Sequence, residues 1–321
     1  MSSGDTDREP SVTVAVVGIC SADHLNRCLR GLSAQENAPQ FDTVVVHDPH
    51  IGGISEVAAR FPGVRVVANE GQRTPLELAA RAVGEASGDI VLLTEDHCLP
   101  SIDWVSRLVQ EVQVPGRAAV GGLVETDTDI SSVDWAFYYV DFFRYSQAIP
   151  EGPSPSLTVC NVAYRREYLQ AVTPTWEDIF HETAINDALR SRFGTLWLTP
   201  AARVRMRRRV KFGAAVYERY AFGRLFGCTR LEFGSAVRRL YYLLFSPALP
   251  ALLLFRMGRK AAGDPAMRRR FARGLMPLTA LVLAWSWGEW LGYLTRRRPG
   301  SLVVAPEIRS AGTDGSRYSP A

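Results

Sequence analysis

The first hundred residues alternate between apolar strand patterns and helical patterns, and this alternation constrains the fold more than any other feature. The strand patterns, which are rich in β-branched residues, are residues 11–19, 43–46, 64–68 and 90–93. The helical patterns between them are residues 23–32, 54–60 and 75–86, and Thr74 followed by Glu77 predicts a capping box at the start of the last one. Strands that alternate with helices through short connections predict an α/β fold with a doubly wound, mostly parallel sheet.

The fourth strand pattern ends at two adjacent carboxylates, Glu95 and Asp96. Ligands of α/β sheets bind outside the carboxyl ends of the strands. Two adjacent carboxylates repel each other there unless a cation or a polar ligand takes up the charge. A hard cation such as Mg²⁺ or Mn²⁺, shared with the phosphates of a nucleotide, would do so. The sequence therefore favours a metal–nucleotide site, with a solvated acidic loop as the alternative.

The composition indicates the domain size and the redox compartment. The chain has 321 residues, of which 47% are hydrophobic and 22% charged, as expected for one α/β domain of about 230 residues plus an appendage. The five cysteines are scattered without a CxxC pair. This argues against a disulfide framework or a zinc knuckle and favours a reducing compartment. Residues 1–10 are polar, so we expect no signal peptide there.

Further along, the patterns predict three more strands, two helices and a tail. The predicted strands are residues 118–124, 157–164 and 195–198, and the glycine pair Gly121-Gly122 in the first should allow a close backbone approach. The aromatic-rich segment 133–145 is interpreted as an amphipathic core helix, with an acceptor-binding face as the alternative. Residues 182–193 predict a helix that ends at Gly194. The polar residues beyond Pro299 predict a disordered tail.

Five segments in order resemble a family 2 glycosyltransferase of the GT-A type, over roughly residues 11 to 230. They are VVGICSADHLNRCLRGLSAQ, VVVHDPHIGG, ARAVGEASGDIVLLTEDHCLP, CNVAYRREYL and ETAINDALRSRFGTLWLTPAARV. The resemblance implies a GT-A nucleotide-diphospho-sugar transferase fold. It also implies a nucleotide-sugar donor, with UDP-sugars favoured, and Mg²⁺ or Mn²⁺ as cofactor.

The resemblance also implies roles for individual residues. Asp48 matches the residue that contacts the nucleotide base, and Arg81 matches an arginine of the stretch before the metal motif. Asp96 falls on the metal-binding aspartate, and Glu95 is its acidic neighbour. His97 is adjacent, but its side chain is expected to point away, so it is not counted as a ligand.

Glycosyl transfer needs a base for the acceptor as well as charge neutralisation for the leaving diphosphate. In the resemblance, Glu182 matches the glutamate that would act as base in a single inverting displacement. Asp178, in the sequence TWEDIF, is the competing candidate. An acceptor that is already an ionised phosphate would need no base.

Three positions depart from the family pattern. Thr94 replaces the first aspartate of the metal motif, Thr183 replaces an acidic residue, and Met206 stands where many relatives place a histidine. Arg205 and Arg207 flank Met206 and could bind a diphosphate with their guanidinium groups. The alternative is a basic surface that faces anionic lipid.

The C-terminal third contains two apolar stretches, residues 240–255 and 275–294, each flanked by arginines. The first is short and interrupted by proline, whereas the second is about long enough to span a bilayer. The charges favour a helical hairpin that lies in the membrane surface over one that spans it. Burial against the catalytic domain is the third possibility. Glu289 should face protein, a headgroup or an arginine.

These patterns predict four regions: a disordered start at 1–10, a GT-A domain at 11–232, a membrane-associated helical appendage at 233–298, and a disordered tail at 299–321. The expected acceptor is a polyprenyl-linked glycan or a glycolipid at the cytoplasmic face of the membrane. Nucleic acid is not an expected partner. The competing functions are a catalytically silent membrane scaffold and a sugar nucleotidyltransferase.

Overall fold

The computed structural model describes residues 9–67, 69, 71, 73–147, 149–230 and 236–299. Within these residues one sheet has nine strands. The strands are β1 Val12–Gly18, β2 Phe41–His47, β3 Val64–Val67, β4 Ile90–Glu95, β5 Cys98–Pro100, β6 Arg117–Thr126, β7 Gly152–Pro153, β8 Val162–Arg165 and β9 Thr195–Met206. The helices are α1 Ala22–Ser33, α2 Ile54–Ala58, α3 Pro75–Glu85, α4 Trp104–Val112, α5 Ser132–Phe142, α6 Arg166–Ala171, α7 Glu182–Phe193, α8 Phe212–Thr229, α9 Ala236–Phe245, α10 Leu249–Ala261 and α11 Pro265–Thr295.

Most of each predicted disordered end lies outside the described residues. The predicted boundary between residues 232 and 233 also falls there, so the division into four regions stays a prediction.

The four strands predicted in the first hundred residues form the parallel part of the sheet. Their order is β3-β2-β1-β4, and each neighbouring pair is parallel. Helices α1, α2 and α3 connect them in chain order. Every residue of β1 is buried, as expected for the central strand of a sheet with both faces covered. The predicted α/β class is therefore confirmed.

The other half makes the sheet mixed rather than mostly parallel. β8 runs antiparallel to β4 and β6, and β9 runs antiparallel to β5 and β7 but parallel to β6. The apolar patterns could not give these directions, because a buried strand has the same pattern in either orientation. Residues 157–161, which were predicted as the start of a strand, lie outside β8 and lead into it.

β9 is longer than the sequence pattern suggested and passes through Pro200 to Met206. Its register with β6 shifts between Gly122 and Leu123. A Cβ atom at Gly122 would lie 1.9 Å from the Ala202 carbonyl oxygen, so only glycine fits at this position. The prediction that the glycine pair allows a close backbone approach is confirmed.

Local capping explains where the helices next to the site begin. The Ser21 side chain accepts the His24 backbone N–H at the start of α1. Thr74 and Glu77 form the predicted capping box at the start of α3. The aromatic helix α5 has buried Trp135, Phe137 and Tyr139, which supports the core interpretation over an acceptor-binding face.

Helices α8 and α11 approach each other closely enough for backbone contact. Gly223 and Gly227 lie on α8, and Gly288 and Gly292 lie on α11. A Cβ atom on any of the four would lie 2.1 to 2.5 Å from a carbonyl oxygen of the opposite helix. Small residues spaced by four allow this geometry. One side of the second apolar stretch, within α11, is therefore packed against α8.

The buried carboxylate of α11 has protein partners at this contact. Glu289 accepts hydrogen bonds from Tyr293 and Trp285 of the same helix, and Arg230 lies 3.7 Å away. The prediction that Glu289 faces an arginine or other protein groups is confirmed.

The first apolar stretch, in α9 and α10, is the exposed one. Residues Ala236–Ala261 form a helical run long and apolar enough to cross a membrane, and 11% of its most apolar window is buried. Leu240, Leu244, Phe245 and Phe255 are each more than half exposed. The sequence had suggested the second stretch as the one about long enough to span a bilayer, whereas the candidate span among the described residues is this first stretch.

Replacing Gly227 by leucine should destabilise the chain by about 3 kcal/mol, since the added side chain overlaps the Glu289 backbone. Thermal unfolding in detergent would measure the loss. Gly213→Ala on the same helix is the matched control, because a Cβ there meets nothing within 4 Å. An equal effect of both variants would contradict the close α8–α11 contact.

Candidate functional site

The carboxyl ends of β1, β2 and β4 lie side by side and bring the predicted site residues to one edge of the sheet. In the register of the sheet, Gly18 pairs with His47 and Val17 pairs with Glu95. Asp48 and Asp96 follow directly after β2 and β4. The two predicted nucleotide-site aspartates are therefore on neighbouring strand ends.

Asp96 is almost completely buried at the start of α1. Its Oδ2 atom accepts the backbone N–H groups of Cys20 at 2.9 Å and Ser21 at 3.2 Å. Burial acts to raise the pKa of Asp96, but the interactions with His97 and the Cys20 amide outweigh it and the pKa is lowered. The carboxylate is thus ionised at neutral pH, and the positive end of α1 stabilises it.

The second oxygen of Asp96 is buried without a hydrogen-bond partner. Oδ1 lies 3.7 Å from Nδ1 of His97. The His97 side chain was expected to point away from Asp96, and this was wrong: the ring lies beside the carboxylate. The Cys20 thiol is also 3.7 Å from the same ring nitrogen.

Glu95 faces the opposite nitrogen of the His97 ring. Its Oε2 atom accepts a hydrogen bond from the Cys160 thiol at 3.2 Å and lies 3.4 Å from His97 Nε2. Burial raises the pKa of Glu95. The Thr94 hydroxyl, in the place of the first acidic residue of the motif, donates to the Cys160 carbonyl oxygen at 2.9 Å.

Glu182 is the first residue of α7 and is held by the turn that precedes β8. Its Oε1 atom accepts the Val159 backbone N–H at 3.0 Å and the Thr158 hydroxyl at 3.3 Å. Burial, together with the negative charge of Glu95, raises the pKa of Glu182 to about 7. One short turn, residues 158–160, therefore contacts Glu182 at one end and Glu95 at the other.

Asp178 has different surroundings. It lines a cavity of about 270 Å³ together with Arg73, Glu77, Trp176 and Arg298. None of the other predicted site residues lines this cavity. The structure thus separates the two candidates for the base by environment, with Glu182 beside the carboxylates of the strand ends.

The remaining nucleotide-site candidates are more exposed. Asp48 accepts the backbone N–H of His50 at 2.9 Å. Arg81 lies on an exposed face of α3 and pairs with Glu85 at 3.1 Å. Their roles toward a nucleotide stay predictions.

The arginines of β9 and the residues after it point in different directions. Arg205 and Arg207 pair with Asp127, at 3.9 and 3.2 Å. Arg208 is buried instead and makes a two-point pair with Glu218, at 3.0 and 2.9 Å. Arg205 and Arg207 are both partly exposed, and their role toward a diphosphate stays a prediction.

Comparison with known proteins agrees with this architecture. Residues 14–173, about half of the chain, match the family described as glycosyl transferase family 2. The chain belongs to this family.

One relative and two solved structures are similar to this chain. An N-acetylglucosaminyltransferase from Bradyrhizobium elkanii is 29% identical over 112 residues, which cover 32% of this chain and 60% of the relative. The mannosyltransferase PcManGT from Pyrobaculum calidifontis, solved with GDP-Man and Mn²⁺, superimposes with a TM-score of 0.57 at 16% identity over 88% of each chain. S. aureus TarS 1–349 with UDP-GlcNAc gives 0.51 at 11% identity, over 87% of this chain and 92% of TarS. The two structures share the GT-A fold with this chain.

One unpaired carboxylate oxygen in the candidate site of this glycosyltransferase fits a divalent cation. Asp96 Oδ1 is a carboxylate oxygen that no hydrogen bond occupies, and carboxylate oxygens suit Mg²⁺ and Mn²⁺. Asp96 is the residue that would hold such a cation.

Sequence reasoning missed three contributors to this site. His97 and Cys160 contact the acidic pair, and buried Asn161 donates to the carbonyl oxygens of Leu123 and Ala202. Cys160 and Asn161 open the CNVAYRREYL segment that carries part of the resemblance. That segment was the available signal, but its apolar pattern indicated only a strand.

Proposed function

We propose that this chain is an inverting glycosyltransferase that moves a sugar from a UDP-sugar to a lipid-linked or cell-envelope glycan acceptor. The environment of Glu182 carries the proposal. A carboxylate whose pKa is raised to about 7, next to the strand-end acidic pair, has the properties of a general base at neutral pH.

Neutralisation of the charge on the leaving diphosphate is assigned to Arg205, Arg207 and a divalent cation that Asp96 would hold. A divalent cation bound at Asp96 supplies Lewis-acid stabilisation of the diphosphate when it is present. Arg205 and Arg207 are about half and one-third exposed, so their guanidinium groups are accessible to a phosphate. The Asp127 carboxylate that pairs with both arginines would orient them.

Glu182 is favoured over Asp178 as base on its surroundings. The hydrogen bonds from Val159 and Thr158 fix one carboxylate oxygen, which leaves the other for the acceptor hydroxyl. Asp178 lines a different cavity with Arg73 and Arg298, and no other predicted site residue lines it.

The donor is proposed to be a UDP-sugar because Asp48 lies at the end of β2, where the resemblance places the contact to the base. The curated relative is named an N-acetylglucosaminyltransferase, and TarS was solved with UDP-GlcNAc. PcManGT was solved with GDP-Man, so GDP belongs in the test as a competing donor.

The acceptor class follows from the exposed apolar face of α9 and α10. Large apolar patches on a protein surface are typical of membrane or protein contacts. Arg256, Arg259 and Arg273 are exposed on α10 and the first half of α11, where they could bind anionic headgroups. A catalytic domain seated in this way at the cytoplasmic face would reach polyprenyl-linked or glycolipid acceptors.

Nucleotide binding tests the donor site. Calorimetric titration of the detergent-solubilised chain with UDP, GDP and dTDP, each with and without Mn²⁺, should show Mn²⁺-dependent binding of UDP. Asp96→Asn should weaken this binding at least tenfold, because it removes the charge that holds the cation. Asp178→Asn is the matched control and should bind UDP normally. Mn²⁺-independent binding, or no binding, would contradict the assignment.

The base is tested by UDP release from UDP-N-acetylglucosamine. Wild-type turnover should rise with pH and level off above about pH 7, since Glu182 acts only when deprotonated and its raised pKa sets the midpoint. Glu182→Gln should lower the rate at pH 8 by about 10²-fold or more and remove this pH dependence. Asp178→Asn should retain the wild-type rate at pH 8 and the wild-type pH dependence. Loss of turnover in Asp178→Asn alone would reverse the assignment.

Membrane binding is tested with vesicles of phosphatidylcholine and phosphatidylglycerol in a flotation assay. The double variant Leu244→Glu/Phe245→Glu should bind about tenfold or more weakly, because both exposed side chains would leave the apolar phase. Ile102→Glu, which alters an exposed apolar residue outside α9 and α10, is the control. Equal flotation of the wild type and the double variant would rule out this face.

A further inference from the structure

A cluster of sulfur and nitrogen donors lies beside the acidic pair. The ligand atoms of His97, Cys98 and Cys160 all lie within 4.8 Å of one another. The three residues are buried, with at most 4% of the surface of each residue exposed to solvent. Cys160 is distant in the sequence from the adjacent His97 and Cys98, and no CxxC spacing is present, which is why the sequence pattern argued against a zinc knuckle.

A fourth donor lies beside two members of the cluster. Glu95 Oε2 lies 3.2 Å from the Cys160 sulfur and 3.4 Å from His97 Nε2. In a four-coordinate zinc site, metal–ligand distances of about 2.0–2.3 Å place neighbouring donor atoms roughly 3.3–3.8 Å apart. The two distances from Glu95 are thus close to this spacing.

The other ring nitrogen of His97 faces a carboxylate. Nδ1 lies 3.7 Å from Asp96 Oδ1, the buried oxygen without a hydrogen-bond partner. A histidine that binds a metal through one nitrogen typically directs the other toward a carboxylate or carbonyl oxygen. The Asp96–His97 pair has this arrangement, and its Nε2 atom is the one that faces Glu95.

We propose that His97, Cys98, Cys160 and Glu95 form a buried site for Zn²⁺ or a chemically similar transition ion, separate from the cation that a nucleotide sugar would bring. Binding releases the protons of the two thiols to solvent, and the ion replaces the hydrogen bond between Cys160 and Glu95. Two thiolates and an imidazole select such ions over Mg²⁺ and Mn²⁺.

The ion would connect the two halves of the sheet at the site. Cys98 begins β5, while Cys160 belongs to the turn whose neighbours Thr158 and Val159 hold Glu182. A bond from both cysteines to one ion fixes the distance between the β4–β5 segment and that turn. The site therefore has a structural role, and it positions Glu182 without contacting substrate.

Co²⁺ titration of the full chain, solubilised in detergent, reduced and freed of metal, tests the site. One equivalent of Co²⁺ should produce a thiolate-to-cobalt charge-transfer band and the intense visible bands of four-coordinate cobalt. One equivalent of Zn²⁺ should remove both and raise the thermal midpoint. Cys98→Ser and Cys160→Ser should each lower the charge-transfer absorbance by about half, and the double variant should abolish it.

Two cysteines outside the cluster provide controls. Cys228→Ser, in α8, should leave the spectrum unchanged. Cys20→Ser should also leave it unchanged, and loss of the band in this variant would overturn the proposal in favour of the Cys20–Asp96–His97 side of the ring. A wild-type spectrum without a thiolate band, or a Cys98–Cys160 disulfide found by mass spectrometry in the purified chain, would overturn it as well. No nucleotide is present in these titrations, so their outcome is independent of transferase activity.

Discussion

The site depends on the contact between the Asp96 carboxylate and the backbone amides of Cys20 and Ser21, which directly precede α1. A carboxylate buried this deeply is unfavourable unless hydrogen bonds or opposite charge compensate its lost hydration. The Cys20 and Ser21 amides provide that compensation at Oδ2. The contact joins the end of β4 to the β1–α1 connection, so the adjacent strand ends cannot move apart without exposing an uncompensated charge.

A second link extends this arrangement across the sheet. The turn at residues 158–160 contacts Glu95 through a cysteine thiol, Thr94 through a carbonyl oxygen, and Glu182 through an amide and a hydroxyl. The two glutamates influence each other electrostatically, which contributes to the raised pKa of Glu182. The acidity of the proposed base is therefore a property of the assembled site and not of α7 alone.

The sequence predicted the parts of the molecule that local patterns determine. The four parallel strands, the capping box at Thr74 and the helix that ends at Gly194 all depend on residues close together in the chain. The antiparallel half was not predictable, because strand direction depends on contacts between distant residues. The orientation of His97 was missed for the same reason, since its partners include Cys20 and Cys160, far away in the sequence.

The C-terminal helices show how a pattern can mislead. Its length suggested that the second apolar stretch could span a bilayer, but the glycines of α11 place one side of it against α8. Backbone contact between the two helices has a consequence for the tolerance of these positions to change. At most sites of a packed core a smaller or larger side chain can be accommodated by small shifts. At the four glycines even a methyl group overlaps the opposite backbone, so no gradual route of substitution leads away from glycine.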